Sequence, residues 1–166
     1  DAWLLLLRDE GTMTLGEVLE PAIGYARHGH PLLARVASTI ETVRDLFESD
    51  WSTSADLWLR GGEVPAPGAL FANPAYADTL QRLVDEGRAA GGGREEQIDA
   101  ARRAWSQGFV ADAVDAFSRK AFRDSSGEAH AGLVTGADMA AFSATWEAPA
   151  TVDFHGYTIA KTGPWG

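Results

Sequence analysis

The residues able to do nucleophilic or metal chemistry are few: four histidines and no cysteine. His28 and His30 flank Gly29. A metalloprotease helix carries its histidines at i and i+4 with a glutamate between them, whereas this pair straddles the expected end of a helix. His28 is read as a cation well placed at a helix C-terminus. His130 falls in an expected loop and His155 in an expected hairpin turn, and both are read as exposed turn residues. The lack of cysteine removes disulfides, thiolate nucleophiles, zinc knuckles and iron–sulfur ligation together. Gly91-Gly92-Gly93-Arg94 precedes a helix, where an anion cradle could form. A phosphate loop also needs a preceding strand and a Lys-Ser/Thr ending, and Glu95 and Glu96 repel phosphate, so a flexible linker is the reading. Paired carboxylates at Asp9-Glu10, Glu95-Glu96 and Asp112/Asp115 sit at helix ends or on polar faces, where solvated acids are usual. No Gly-x-Ser-x-Gly elbow presents a serine. Of six tryptophans, Trp51, Trp58, Trp105 and Trp146 are read as core or interface anchors rather than a ligand cage. Taken alone, these residues assign no catalytic, cofactor-binding or metal-binding position.

The elements that would carry such residues are mostly helical. Ala2 to Arg8 is an apolar helical piece stopped by Asp9-Glu10-Gly11. Thr14, three residues before Glu17, has capping-box spacing and opens a second helix. Pro21 falls inside that helix and predicts a kink or break near Leu19-Glu20; Gly29 and Pro31 end it. From Leu32 to Phe47, Leu33, Val36, Ile40, Val43 and Phe47 recur at the period of one helix face, and a short helical turn follows over Ala55 to Leu59. Arg60 to Gly68 is loop by composition. Asn73-Pro74 starts a helix that Gly87 is expected to end, with Arg88 to Gly93 as linker. Further helices run through Ile98, Ala101 and Trp105 to Gly108, and from Phe109 to Phe122. Asp124 to Gly127 is a turn, Leu133-Val134 a short extended piece, and Thr135 to Asp138 a second capping box opening a helix to Ala144. After Pro149 the period becomes two: Val152 and Phe154, then Tyr157 and Ile159, around His155-Gly156, which predicts a β-hairpin. The fold class is therefore mainly α, about seven helices, with a short C-terminal β-hairpin. The organisation is one helical segment over 1–166: helical over 1–59, loop over 60–73, helical over 74–122, turn plus short helix over 123–149, and hairpin over 150–162.

The whole chain bounds these readings. It has 166 residues, 45% hydrophobic and 23% charged, and at that length a folded chain buries roughly 70% of its unfolded surface, enough for one core without disulfides. Fourteen Lys+Arg against twenty-four Asp+Glu give a net charge of −10. A basic face is what displaces counterions from a phosphate backbone, so nucleic acid is not an expected partner. The longest apolar run, Ala2 to Leu7, is far short of the ~20 residues of a membrane span, and no membrane partner is expected. The chain opens at Asp1 rather than Met, so a missing natural N-terminus is expected and no compartment is assigned; cytoplasmic and secreted locations both stay open.

Four segments, in this order, resemble the γ-glutamyltransferase (γ-glutamyltranspeptidase) family. The first is Gly11-Thr12-Met13-Thr14-Leu15 leading into Pro21-Ala22-Ile23 and Tyr25 to Leu32. The second is Gly68-Ala69-Leu70-Phe71-Ala72-Asn73-Pro74-Ala75-Tyr76-Ala77-Asp78-Thr79-Leu80. The third is Ala104 to Ala111, where the family usually shows Phe-Tyr-x-Gly before a helix. The fourth is Gly132-Leu133-Val134-Thr135-Gly136-Ala137-Asp138-Met139-Ala140-Ala141-Phe142, continuing into Trp146-Glu147-Ala148-Pro149 and Phe154 to Ile159. No piece is specific alone; order and spacing over nearly the whole chain carry the resemblance. Three features depart from it. Trp105-Ser106-Gln107 replaces the usual Phe-Tyr-x, and Arg88 to Arg103 looks like an insertion. Gly163-Pro164-Trp165-Gly166 also stands where many members have a proline-rich run entering Ser-Ser-Gly-Gly.

The resemblance implies a precursor that cleaves itself into a large and a small subunit within the αββα sandwich of the N-terminal-nucleophile hydrolases. The new N-terminal threonine of the small subunit would transfer or hydrolyse γ-glutamyl groups such as that of glutathione. On this alignment the chain is an internal, non-catalytic piece of the large subunit. The carboxylate-binding arginine would lie before Asp1, and the threonine and oxyanion-hole glycines after Gly166. Such a nucleophile needs a Ser, Thr or Cys activated by its own α-amine, which Asp1 cannot supply. The expected partners are the remaining large- and small-subunit segments, with self-association of the isolated chain as a secondary effect, and no cofactor is expected. A cephalosporin-acylase-like amidase is the nearest alternative chemistry. A stand-alone helical interaction domain is the alternative from another class, against which the unpaired edges of the terminal hairpin count.

Overall fold

Thr14 and Glu17 form the capping box that their spacing predicts. The Thr14 Oγ1 accepts from the Glu17 N–H at 3.3 Å, and the Glu17 carboxylate accepts from the Thr14 N–H at 2.8 Å and from its hydroxyl at 2.7 Å. These bonds, the hydroxyl's foremost, hold the Glu17 carboxyl below its ordinary range. Thr14→Ala removes the cap and is expected to lower the unfolding free energy by about 1 kcal/mol, read as a shift of the urea midpoint at constant m-value.

The computed structural model describes residues 1–163; Pro164, Trp165 and Gly166 of the terminal stretch that departs from the family pattern lie outside the described residues. Helices α1 (Ala2–Glu10) and α2 (Leu15–His28) are followed by the two-residue strand β1 (His30–Pro31). Then come α3 (Ala34–Thr42), α4 (Arg44–Ser49), α5 (Ser52–Trp58) and β2 (Leu70–Phe71). The long helices α6 (Pro74–Ala90) and α7 (Arg94–Ser106) precede α8 (Phe109–Ser118), strands β3 (Ala121–Arg123) and β4 (Ala129–Ala131), α9 (Gly136–Ala141), β5 (Ala150–Phe154) and β6 (Tyr157–Lys161). Mainly α with a terminal hairpin is therefore the observed class, with nine helices among the described residues where about seven are expected from sequence.

The sheets are three antiparallel pairs, β1 with β2, β3 with β4 and β5 with β6. In the last, Val152 stands opposite Ile159 and Phe154 opposite Tyr157, the pairing that the period of two predicts. His155 and Gly156 turn the corner with φ of 50° and 83°. Positive φ at both central residues matches the strand twist of a two-residue hairpin.

Burial divides into two clusters. Ile98 and Ala101 of α7, Val84 of α6 and Leu15 of α2 form one, with Leu4 and Leu7 of α1 packed on it. Leu32, Ala37, Ile40, Phe47, Leu59 and Phe71 form the other, under α3, α4 and α5. The β1–β2 pair and the Asn73 N–H, which donates to the Ala26 carbonyl at 2.7 Å, tie the second cluster to the ends of α2 and α6.

Several boundaries differ from the sequence reading. Helix α2 continues through Pro21. Proline forfeits one backbone bond there, to the carbonyl of exposed Glu17, while Leu15, Leu19 and Ile23 pack on the core to either side of it. The single helix expected from Leu32 to Phe47 divides at Val43, whose φ of −115° and ψ of 9° leave the helical region. Thr39 and Thr42 bond back to the carbonyls of Arg35 and Thr39 at 3.0 and 2.7 Å, a competition that bends helices. Leu33, expected on the buried stripe, precedes α3 and is exposed. Gly87 does not end α6; it lies inside the helix against α7, and Gly91 ends it with φ of 71°. Helix α8 stops at Ser118, so Phe122 belongs to β3 and stacks on Phe117 at 4.9 Å. Leu133 and Val134 form no strand; the neighbouring strand is Ala129–Ala131. Helix α9 stops at Ala141 rather than Ala144.

Candidate functional site

The densest polar constellation lies where α1, α7 and the segment after α9 meet. Arg102 on α7 grips the Asp1 carboxylate through Nε at 2.7 Å and Nη2 at 3.1 Å, and the same carboxylate accepts the Ala144 N–H at 2.8 Å. Asp99, one turn before Arg102, accepts from Arg102 at 3.2 Å and from Arg8 at 3.0 Å. Arg8 also pairs with Asp9 at 2.7 Å, and the other oxygen of Asp9 accepts the Trp146 indole N–H at 2.7 Å. Arg94 donates to the carbonyls of Leu7 and Arg8 at 2.9 and 2.8 Å, fixing the last turn of α1. Two arginines thus alternate with three carboxylates in one chain of ion pairs. The hydrogen bonds from Arg8, and then from Trp146, hold the Asp9 carboxyl below its ordinary range, and the bonds to Asp9 and Asp99 raise Arg8. A general base works best with a pKa near the operating pH; these shifts lead away from neutrality. The network can fix geometry; within it, burial and then Arg102 lower the Asp1 α-ammonium from its ordinary value.

A second constellation has the residue types of a hydrolase triad. In the β3–β4 turn, the Ser126 hydroxyl donates to Asp124 at 2.6 Å, and His130 Nδ1 lies 2.8 Å from the other Asp124 oxygen. In a working triad the imidazole stands between hydroxyl and carboxylate to take the nucleophile's proton. Here the carboxylate stands in the middle, so the histidine cannot reach that proton. Hydrogen bonds from the Ser126 hydroxyl and N–H, then from His130, push Asp124 down to about 2. This is an Asx turn that closes a hairpin. The Asp-Ser-Ser-Gly composition marks the turn in the sequence; the strand that places His130 opposite Phe122 was the missing signal.

The other sequence candidates are dispersed. His28 is the last residue of α2 and His30 lies in β1, its ring edge-on to Phe71. No group of three or more His, Asp or Glu residues among the described residues could hold a metal ion. The Gly91–Gly93 turn leads into α7, but Arg94 is turned onto the carbonyls of α1. Asp115 accepts from Arg119 at 2.7 Å and from the Gly136 N–H at 3.1 Å. Trp58 stacks on Phe71 at 4.6 Å, and Trp51 packs on the same cluster while donating to the Arg123 carbonyl at 2.8 Å. Trp105 and Trp146 remain partly or largely exposed, and Trp3 is 82% exposed. Trp3 belongs to an open apolar groove of about 550 Å³ between α1 and α2, lined also by Leu6, Leu7, Val18 and Leu19. No helix among the described residues is long and apolar enough to cross a membrane.

The family model described as gamma-glutamyltranspeptidase matches residues 1–166. The chain belongs to the γ-glutamyltranspeptidase family. A curated relative, 27% identical over 164 residues, is the glutathione hydrolase-like YwrD proenzyme of Bacillus subtilis (strain 168); the match takes in 99% of this chain and 27% of that protein. The solved structure of LmbA2991T421A is 53% identical and superposes with a TM-score of 0.95 over 99% of this chain and 28% of the other. The γ-glutamyltranspeptidase of Helicobacter pylori superposes at 0.74 with 23% identity, over 97% of this chain and 40% of the other. The cephalosporin acylase of Bacillus halodurans superposes at 0.73 with 24% identity, over 98% and 27%. These last two speak for fold alone. The chain spans a little over a quarter of the length of YwrD and of the LmbA2991T421A chain.

Proposed function

We propose that this chain is a scaffold segment of the large subunit of a γ-glutamyltranspeptidase-family enzyme and supplies none of its catalytic residues. The parent would transfer or hydrolyse γ-glutamyl groups of glutathione type, with an N-terminal threonine nucleophile outside residues 1–166. One observation carries this reading: the family match runs over the entire chain, yet the chain covers only 27% of YwrD and 28% of the LmbA2991T421A chain. The site geometry supports it, because among the described residues the polar clusters are closed ion pairs and a turn. The terminal hairpin supports it too. Val152, Phe154, Tyr157 and Ile159 are all exposed, as expected of strands that dock on neighbouring sheets of the same parent. The remaining segments of the large and small subunits are the partners this reading requires.

The departure from the family pattern at Trp105-Ser106-Gln107 favours one second reading, a parent of cephalosporin-acylase type acting on another amide.

The pure chain is expected to release no p-nitroaniline from γ-glutamyl-p-nitroanilide above buffer. One oxyanion-hole donor alone is often worth ~10²–10³ in rate, and here donors and nucleophile would be missing together. Turnover by the chain that a point mutation within it abolishes would overturn the proposal.

A further inference from the structure

The stretch from Gly132 to Lys161 contains no buried residue; only Gly136, Met139 and Ala144 are even half-buried. Two of those three, Gly136 and Ala144, are the residues whose backbone N–H groups end on carboxylates of the helical body, Asp115 and Asp1. A third attachment is the Trp146 indole N–H on Asp9, and a fourth the Gly132 N–H on the Ser118 carbonyl at 2.7 Å. The apolar contact along this seam is poor. An open cleft of about 230 Å³ is lined by Val134, Met139 and Phe142 of the arm and by Trp105, Ser106 and Asp1 of the body. On the other side of Asp1 a second cavity of about 200 Å³ lies between Ala140, Phe142 and Ser143 and the α7 residues Asp99, Arg102 and Arg103. Both clefts open to solvent, and with no buried side chain on the arm the seam removes little apolar surface from water. What joins it is one backbone bond and three hydrogen bonds to carboxylates, the latter charge-assisted and roughly twice as strong as neutral ones.

We propose that Asp1, Asp9 and Asp115 act together as a carboxylate clamp that docks the arm Gly132–Lys161 on the helical body, and that neutralising them frees the arm as a unit while the body stays folded. The charges that face them keep the clamp set. Arg102 and Asp99 of α7 flank Asp1, with Arg103 on the cavity wall and Asp138 approaching from α9. Arg8 pairs with Asp9, and Arg119 with Asp115. The Gly136 N–H is the foremost cause that holds Asp115 below its ordinary range, ahead of Arg119; for Asp9, Trp146 comes second after Arg8. The sign follows: depressed carboxylates contribute docking that is fully present above the ordinary carboxylate range and lost as pH falls through their docked-state values.

The test is native-state hydrogen exchange on the 166-residue chain at one fixed pH, comparing it with the triple variant Asp1→Asn, Asp9→Asn, Asp115→Asn. Asparagine keeps the size and an acceptor oxygen and removes only the charge. Exchange at the Gly136 and Ala144 amides is expected to accelerate about tenfold or more, the effect of losing the charge from two or more such bonds. The Ile98 and Ala101 amides, in the body's core, are the internal control and are expected to stay protected. Met139→Ala, which truncates the larger of the arm's two half-buried apolar side chains, is expected to change the same two amides far less than the triple variant. Unchanged arm exchange in the triple variant would overturn the clamp, as would an equal acceleration of arm and core, which would assign the carboxylates to global stability. A larger effect from Met139→Ala would overturn it in favour of apolar docking.

Discussion

Replacing Ile98 by alanine is expected to lower the unfolding free energy by about 2–5 kcal/mol. Ile98 is 0% exposed and is the largest fully buried side chain of the molecule's described residues. It sits where four helices converge: Leu15 from α2, Val84 from α6 and Ala101 from α7 touch the same cluster, and Leu4 and Leu7 of α1 close it. The cost has two parts, the lost transfer free energy of three carbons and the cavity that long, mutually braced helices cannot collapse to fill. Domains are stable by only about 5–15 kcal/mol, so the variant should lose a large share of its margin. A urea titration monitored by far-UV circular dichroism reads the effect. A midpoint unchanged from the parent chain would show that the cluster around Ile98 is not the structural centre.

The second large effect lies one helix away, at Gly87. Glycine inside an exposed helix is normally improved by alanine by about 1 kcal/mol, and here the sign should reverse. An added Cβ at Gly87 would stand 2.7 Å from the carbonyl oxygen of Gln97 and 3.8 Å from the Ala101 side chain. A backbone oxygen in α7 cannot swing aside as a side-chain end can, so α6 and α7 must part. Gly87→Ala is expected to destabilise the chain, and Gly87→Leu to cost more, about 1–3 kcal/mol or above by the usual scale of overpacking. The same titration decides it, and a Gly87→Ala chain more stable than the original would refute the close approach.

These two positions show how much of the fold the sequence made legible. Ile98 follows from period alone, since it recurs with Ala101 and Trp105 on one face. Gly87 reads as a terminator in the sequence because nothing local distinguishes a glycine that ends a helix from one that lets another helix approach. The distinction lives in the α6–α7 contact. Capping boxes at Thr14 and Thr135 were readable because their bonds close within four residues, and so was the terminal hairpin, whose turn and alternation are both local. The strands at His30–Pro31 and Leu70–Phe71 were not, because they are two residues long and pair across almost forty intervening positions. At the site, each charged member of the Asp1–Arg102–Asp99–Arg8–Asp9 network reads as a solvated surface residue in isolation. Only the crossing of α1 over α7, about ninety residues apart, assembles them. The family resemblance was legible for a different reason, since order and spacing of short motifs survive where each motif is weak.

The central claim, that this chain is a non-catalytic scaffold segment of a γ-glutamyltranspeptidase-family enzyme, is tested most directly by complementation. The remaining segments of the parent, lacking residues 1–166, are co-expressed with and without this chain, and γ-glutamyl-p-nitroanilide turnover is measured on the purified products. The account predicts no turnover from either part alone and restored turnover from the assembled complex, with the chain copurifying at one copy per nucleophile-bearing subunit. Full activity of the remainder without this chain, or of this chain without the remainder, would contradict it.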